Sequence, residues 1–214
     1  ATNITAGRLK ITGGSTSTNA MNVSSGATLE LAIASGSFNT WRSNITYTGN
    51  GTIEKTGAGS ASLHDAAGAT MNLGADAQIR VLEGNLFLHY GTNGNWSNNQ
   101  SDLYIASGAA FRMWDATNVR MGALTGSGSF YRGDSTWGYN VNNVGTLTLG
   151  VNNRNGTFSG GLYDVNIALA VNKTGSGIQT FSGMLSFSGA LTITQGTVQI
   201  GDGALNVSQF SVPM

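Results

Sequence analysis

Cysteine is absent from this chain, proline occurs once (Pro213), histidine twice, and charged residues make up only 9% of the sequence. Without cysteine there is neither a disulfide scaffold nor a thiolate metal site. His64 and His89 alone are too few for a convincing zinc site. Glycine is abundant at 32 residues, but with almost no proline and no three-residue period it excludes a collagen triple helix. Ten basic and ten acidic residues, scattered singly, give a net charge of zero. That leaves no electrostatic footprint for nucleic acid or for an anionic membrane surface. No apolar run approaches the roughly 18 residues that a membrane-spanning helix needs. A leader-type segment is also missing; the chain opens at Ala1 inside a repeat, so an excised or processed segment is expected.

What the chain does contain is short alternating blocks separated by glycine. Ile4-Thr5-Ala6-Gly7-Arg8-Leu9-Lys10-Ile11, Val81-Leu82-Glu83-Gly84-Asn85-Leu86-Phe87-Leu88 and Ile193-Thr194-Gln195-Gly196-Thr197-Val198-Gln199-Ile200 share the form apolar-x-x-Gly-x-apolar-x-apolar. A second block pairs Val23-Ser24-Ser25-Gly26-Ala27-Thr28-Leu29-Glu30-Leu31 with Ile105-Ala106-Ser107-Gly108-Ala109-Ala110-Phe111-Arg112-Met113. A third pairs Tyr47–Ile53 with Leu124–Phe130, and a fourth pairs Lys55-Thr56-Gly57-Ala58-Gly59 with Lys173-Thr174-Gly175-Ser176-Gly177. The first three pairs are offset by 77 or 82 residues, which suggests units of about 80: roughly 1–80, 81–160 and a shortened 161–214.

Alternation of apolar and polar residues over four to six positions means strands with one buried and one solvated face. No stretch sustains a 3.6-residue period, so almost no helix is expected. Leu9 and Ile11, Leu29 and Leu31, Leu86 and Leu88, Phe111 and Met113, and Val198 and Ile200 should all point inward. Repeated in-register strands that each need a neighbour above and below predict an all-β fold, a right-handed parallel β-helix (solenoid), forming a single domain over 1–214. A β-sandwich would also explain short strands, but not the similarity of blocks so far apart. Asn98-Asn99, Asn142-Asn143 and Asn152-Asn153 read as corners. Gly57-Ala58-Gly59 and Gly126-Ser127-Gly128 lack the Gly-Lys-Ser/Thr ending and the following helix of a phosphate loop, and read as turns.

The stretch Gly145–Gly203, with Lys173-Thr174-Gly175-Ser176-Gly177, Thr157-Phe158-Ser159-Gly160 and Gly196-Thr197-Val198-Gln199-Ile200, resembles the autotransporter passenger-associated β-helical repeat. The rest of the chain resembles it more loosely. The chain is also similar in style to β-helical carbohydrate-binding modules of secreted bacterial plant cell-wall-degrading enzymes, some of which bind xylan. These resemblances imply a secreted, extracellular bacterial protein, either free or attached to the cell surface. Two roles follow from them. One is a monomeric, non-catalytic module that holds an attached glycoside hydrolase or esterase domain on a plant polysaccharide such as xylan. The other is a structural or adhesive passenger segment.

Aromatic residues are concentrated between Phe87 and Tyr139, which hold ten of the chain's 18, including three of its four tryptophans. Alternation turns Phe111 and Phe130 inward and Phe87, Tyr104, Trp114 and Tyr131 outward. Trp96, Trp137 and Tyr139 fall in Asn/Gly/Ser-rich loops, with Tyr90 close by. Exposed Trp and Tyr offer flat apolar plates with a polar edge, on which the C–H face of a sugar can lie. Arg112, Arg132 and His89, with Asp115, Asp134 and Asn98, would hydrogen-bond its hydroxyls. The candidate carbohydrate site is therefore Trp114, Trp96, Trp137, Tyr139, Tyr90, Tyr104, Tyr131, Arg112, Arg132 and His89. The competing reading is that these residues fill corners or cover a sheet. In the first unit the positions matching Phe87, Arg112 and Trp114 are Lys10, Glu30 and Ala32.

A glycosidase needs two carboxylates roughly 5–10 Å apart. Asp115 with Asp134, and Glu30 with Glu54, are possible neighbours, and both pairs read as stacked, solvated carboxylates rather than as catalytic ones. No catalytic residue is expected. Asp76 and Gly201-Asp202-Gly203 offer oxygens to calcium, but no Asp-rich nonapeptide run supports such a site. No cofactor is expected.

Overall fold

Most passes of the chain lay down three short strands, separated by glycine-bearing corners, and successive passes stack in parallel. The result, in this computed structural model, is an all-β parallel solenoid. The structure describes residues 1–13, 20–40, 45–63, 69–88, 94–114, 116–133, 144–201, 203 and 210–211. Among the described residues there is no helix.

The strands form three faces. A second face, continuous from end to end, is a nine-stranded sheet running from Arg8–Ile11 through Thr28–Ala32, Thr52–Thr56, Gln78–Val81 and Asp102–Ile105 to Thr197–Ile200. The third face is an eight-stranded sheet that includes Asn85–Phe87, Ala110–Trp114, Ser129–Arg132 and Gly161–Asp164. The first face is split into two four-stranded sheets, one ending at Ala69–Leu73 and the other starting at Asn118–Met121. Residues 94–101 stand between those two halves and keep only one bridge, Thr70 to Asn95.

Register explains the core. Leu29, Ile53, Ile79, Leu103 and Leu124 lie one above another, all fully buried. Leu86, Phe111, Phe130, Leu162 and Leu185 do the same on the third face. Each such side chain contributes about 1.5–3 kcal/mol of burial free energy. Leu29, Leu31, Leu86, Leu88, Phe111 and Met113 point inward as alternation demands, and Leu9, Ile11 and Val198 are partly buried. Ile200 departs from the expectation and is exposed. Tyr47 sits wholly inside, its hydroxyl donating to the Leu63 carbonyl at 3.0 Å, and burial pushes its phenol pKa up.

The Lys-Thr-Gly-x-Gly blocks are corners closed from within. Lys55 is fully buried, and its Nζ donates to the carbonyls of Thr56 (2.8 Å), Gly57 (2.6 Å) and, on the next coil, Glu83 (3.2 Å). Lys173 repeats the arrangement with Thr174 (2.6 Å), Gly175 (2.8 Å) and Gln195 (3.3 Å). Burial lowers the pKa of Lys55 to about 8, with Glu83 acting in the opposite sense, and burial lowers that of Lys173 as well. The next coil carries the x-x-Gly block in both cases. Gly84 and Gly196 have left-handed backbone, φ 64° and 77°. A Cβ at either would collide with carbonyl oxygens of the glycine corner below it. Two sequence blocks that looked independent are thus stacked partners.

Coils range from 19 residues (Phe181 to Ile200) to 32 (Gly126 to Phe158). The offset of about 80 residues is therefore not one coil. Gly7 precedes a strand of the second face, whereas Gly84 precedes one of the third. The Gly26 corner joins first to second face, and the Gly108 corner joins second to third. The offset carries a block three coils along and one face around, so the element that recurs is the strand–corner–strand.

Candidate functional site

The outward aromatics of the third face pack on one another. Phe87 meets Phe38 edge-on at 5.6 Å and Trp114 at 5.4 Å between ring centroids. Trp114 was expected to be an open plate; it is 5% exposed. The cause is a register shift between Arg112 and Trp114, where Trp114 adopts a left-handed backbone with φ 49° and its ring lies against Phe87. Phe87, also expected outward and open, is buried in the same cluster, with Phe38 at its exposed rim. Arg112 and Tyr131 are half-buried. The Arg112 guanidinium lies 4.5 Å from the Tyr131 ring centroid and 5.6 Å from that of Phe87, and its Nε donates to Asn85 Oδ1 at 2.9 Å. The other face of Tyr131 stacks on Tyr163 at 5.1 Å. Guanidinium and neighbouring ring cover Tyr131, so it offers an edge rather than a plate.

Trp96 is the second correction. Expected in an exposed loop, it is 2% exposed and belongs to the core, where it fills the gap left by the missing first-face strand. Around it, polar groups replace the lost ladder. Asn95 and Gln100 pair with the backbone of Ala69, Met71 and Leu73 below, and buried Asn99 donates Nδ2 to the Arg120 carbonyl above at 2.7 Å. Arg132 is the third correction: expected to reach a sugar, it is 0% exposed. It shares the inward parity of Phe130, its Nη1 donates to the Trp114 carbonyl, and it fills the space below Gly145, where a Cβ would strike it. His89, Tyr90, Trp137 and Tyr139 lie outside the described residues, as do His64, Asp115, Asp134 and Asp202.

Among the described site candidates Tyr104 alone is exposed, at 36%, and it stands on the second face. Its column is in register with Lys10, Glu30, Glu54 and Arg80 below and Thr125 above. Glu30 and Glu54 were expected to be solvated. They are buried and tied together by Arg8, 2.8 Å from each, while Arg80 reaches Glu54 at 3.1 Å. The Thr56 hydroxyl and Arg8 hold the Glu30 carboxyl below its usual pKa range. Hydrogen-bonded, neutralised carboxylates suit packing, not proton transfer.

Beside this ladder is a groove of about 280 Å³ lined by Gln78, Arg80, Asp102, Tyr104, Thr125 and Asn155. The Arg80 guanidinium lies 5.6 Å from the Tyr104 ring centroid and steadies it. Asp102 is fixed by the Ala123 amide (2.7 Å), Asn152 Nδ2 (2.7 Å) and Arg154 (3.0 Å). Arg154 also pairs with Asp76 three coils away in stack order, and thereby holds the 150–155 corner as one wall of the groove. An aromatic ring, a carboxylate, a guanidinium, two amides and a hydroxyl here converge on one concave surface. Of these, only Tyr104 was singled out by sequence. Arg80, Gln78, Asp102 and Thr125 share the outer parity of neighbouring strands, a signal that appears only once the register is known.

Asp76 is engaged by Arg154, and no group of three His, Cys, Asp or Glu residues able to hold a metal occurs among the described residues. No protein-family model, curated protein or solved structure matches the chain.

Proposed function

We propose that this solenoid is a non-catalytic saccharide-binding module, with the Tyr104 groove as its contact. The observation that carries the reading is the exposed Tyr104 ring, braced by Arg80 and surrounded by Gln78, Asp102, Thr125 and Asn155. A sugar ring presents apolar C–H groups to such a phenol and hydroxyls to such donors and acceptors. Both carboxylate pairs among the described residues are bridged by arginine, Glu30 with Glu54 and Asp76 with Asp102, which favours binding over hydrolysis. By resemblance, the ligand is a plant cell-wall polysaccharide such as xylan, and the module serves an attached hydrolase or esterase in a secreted bacterial protein. Holding that enzyme on an insoluble substrate raises its effective concentration.

Affinity electrophoresis in gels carrying xylan, other hemicelluloses and pectin tests this. Wild type is expected to be retarded on at least one, and Tyr104→Ala to weaken retention roughly tenfold, or ~1.4 kcal/mol, with melting unchanged. Equal retardation of wild type and Tyr104→Ala would overturn the site. A second reading, a structural passenger segment, is favoured by the burial of Trp96 and Trp114, which commits those indoles to packing. Absence of wild-type retardation on every polysaccharide supports that reading instead.

A further inference from the structure

A different cleft opens on the first face, above the coil that lacks its strand. It has a volume of about 530 Å³ and is lined by Asn95, Trp96, Ser97, Asn118, Arg120 and Thr148. A neighbouring cleft of about 380 Å³ shares Ser97 and Arg120 with it. Among the described residues no acidic one lines either cleft.

Two residues of this lining, Trp96 and Arg120, each carry an unusual buried N–H group. The indole Nε1 of Trp96, a side chain almost wholly buried, has no hydrogen-bond partner, and neither has Nε of Arg120. Buried donors are normally satisfied, because leaving one unpaired costs about 1–3 kcal/mol. Among the described residues Arg120 also has no carboxylate partner, whereas Arg8, Arg80 and Arg154 each have one or two. Its backbone is fixed from both sides: the Asn99 amide holds its carbonyl and its strand pairs with Gly145–Leu149, placing Arg120 beside Thr148. Asn95 Oδ1 is already taken by the Ser97 amide and hydroxyl, so the neighbouring polar groups do not quench the two donors.

We infer that this cleft binds a carboxylate, the guanidinium of Arg120 supplying charge and the Trp96 indole N–H a directed donor, and that the carboxylate is borne by an acidic sugar. A carboxylate matches a guanidinium in charge and in planar geometry, and its second oxygen can accept from an indole. Ser97 and Asn118 offer hydroxyl and amide groups to the rest of the ring. The acidic-sugar assignment extends the saccharide reading to a second face, but the carboxylate site rests on Arg120 and Trp96 and not on Tyr104. The corner pinned by Asn152 and Arg154 leads from this face to the second, where the Tyr104 groove lies.

The test is a titration of ¹⁵N-labelled protein with sodium glucuronate, followed at the four tryptophan indole resonances, with glucose as neutral control at matched ionic strength. The Trp96 signal is assigned by its loss in Trp96→Phe, or by backbone-linked assignment in wild type if that variant does not fold. Glucuronate is expected to move this one resonance saturably, glucose to leave it in place, and Arg120→Gln to weaken the response about tenfold. Tyr104→Ala should leave it intact, which separates this site from the groove on the second face. An unmoved Trp96 resonance, an equal response to glucose, or an undiminished response in Arg120→Gln would each overturn the proposal.

Discussion

At the scale of single residues, Lys55 and Lys173 each close a corner of the solenoid from within. An ammonium withdrawn from water is costly unless it is hydrogen-bonded, and each has three carbonyl partners. In Lys55→Met the Thr56 carbonyl keeps its bond from the Ile33 amide, but the carbonyls of Gly57 and Glu83 lose their donor. A loss of about 2 kcal/mol is expected, measurable by urea unfolding; an unchanged midpoint would show that the cage is dispensable. The pH dependence has a definite sign. The folded pKa of about 8 lies below the ordinary lysine value of 10.5, so between them the unfolded chain binds more protons and stability rises with pH. Stability should therefore climb from about pH 8 towards pH 10.5 in wild type, and lose the part due to Lys55 in Lys55→Met.

The same scale shows what side-chain parity can and cannot reveal. Alternation placed Phe111, Phe130 and Leu86 inside, and applied one residue further it also turns Arg132 inward, away from any sugar. Trp114 follows no such rule, because a bulge and a left-handed backbone reorient it. Trp96 follows none either: its burial comes from a strand that is missing, and an absent strand leaves no alternating pattern to read.

Corners are the informative elements. The glycine blocks were visible as motifs, but their pairing was not, because Lys55 and Glu83 come together only when the coil length is known. Coil length varies from 19 to 32 residues, and the sequence similarity instead follows an offset of three coils and one face. Lys10, Glu30 and Ala32 are therefore on a different face from Phe87, Arg112 and Trp114, and cannot serve as their structural counterparts. Corner glycines should also differ in tolerance. Gly108 and Gly196 share φ 77°, but a Cβ at Gly108 meets open space while one at Gly196 meets the carbonyls of Gly175 and Gly177. Gly108→Ala should cost about 1–2 kcal/mol, the left-handed penalty alone, and Gly196→Ala clearly more, through a displaced backbone. Thermal melts compare the two directly; equal losses would mean that coil-to-coil contact at the Lys173 corner is loose.

For the molecule as a whole, a solenoid makes its core from neighbours in the stack and leaves its faces free to differ. The first face is interrupted, the second carries a continuous ladder of ion pairs ending at Tyr104, and the third is sealed by its own aromatics. On the function proposed above, the second face is where a neutral sugar chain would settle. It is tested most directly by mapping amide shifts of ¹⁵N-labelled protein during titration with xylan-derived oligosaccharides. The expected result is a saturable set of changes centred on Gln78, Arg80, Asp102, Tyr104, Thr125 and Asn155, lost in Tyr104→Ala. Changes confined to the Tyr131–Tyr163 ladder, or no change for any oligosaccharide, would contradict it.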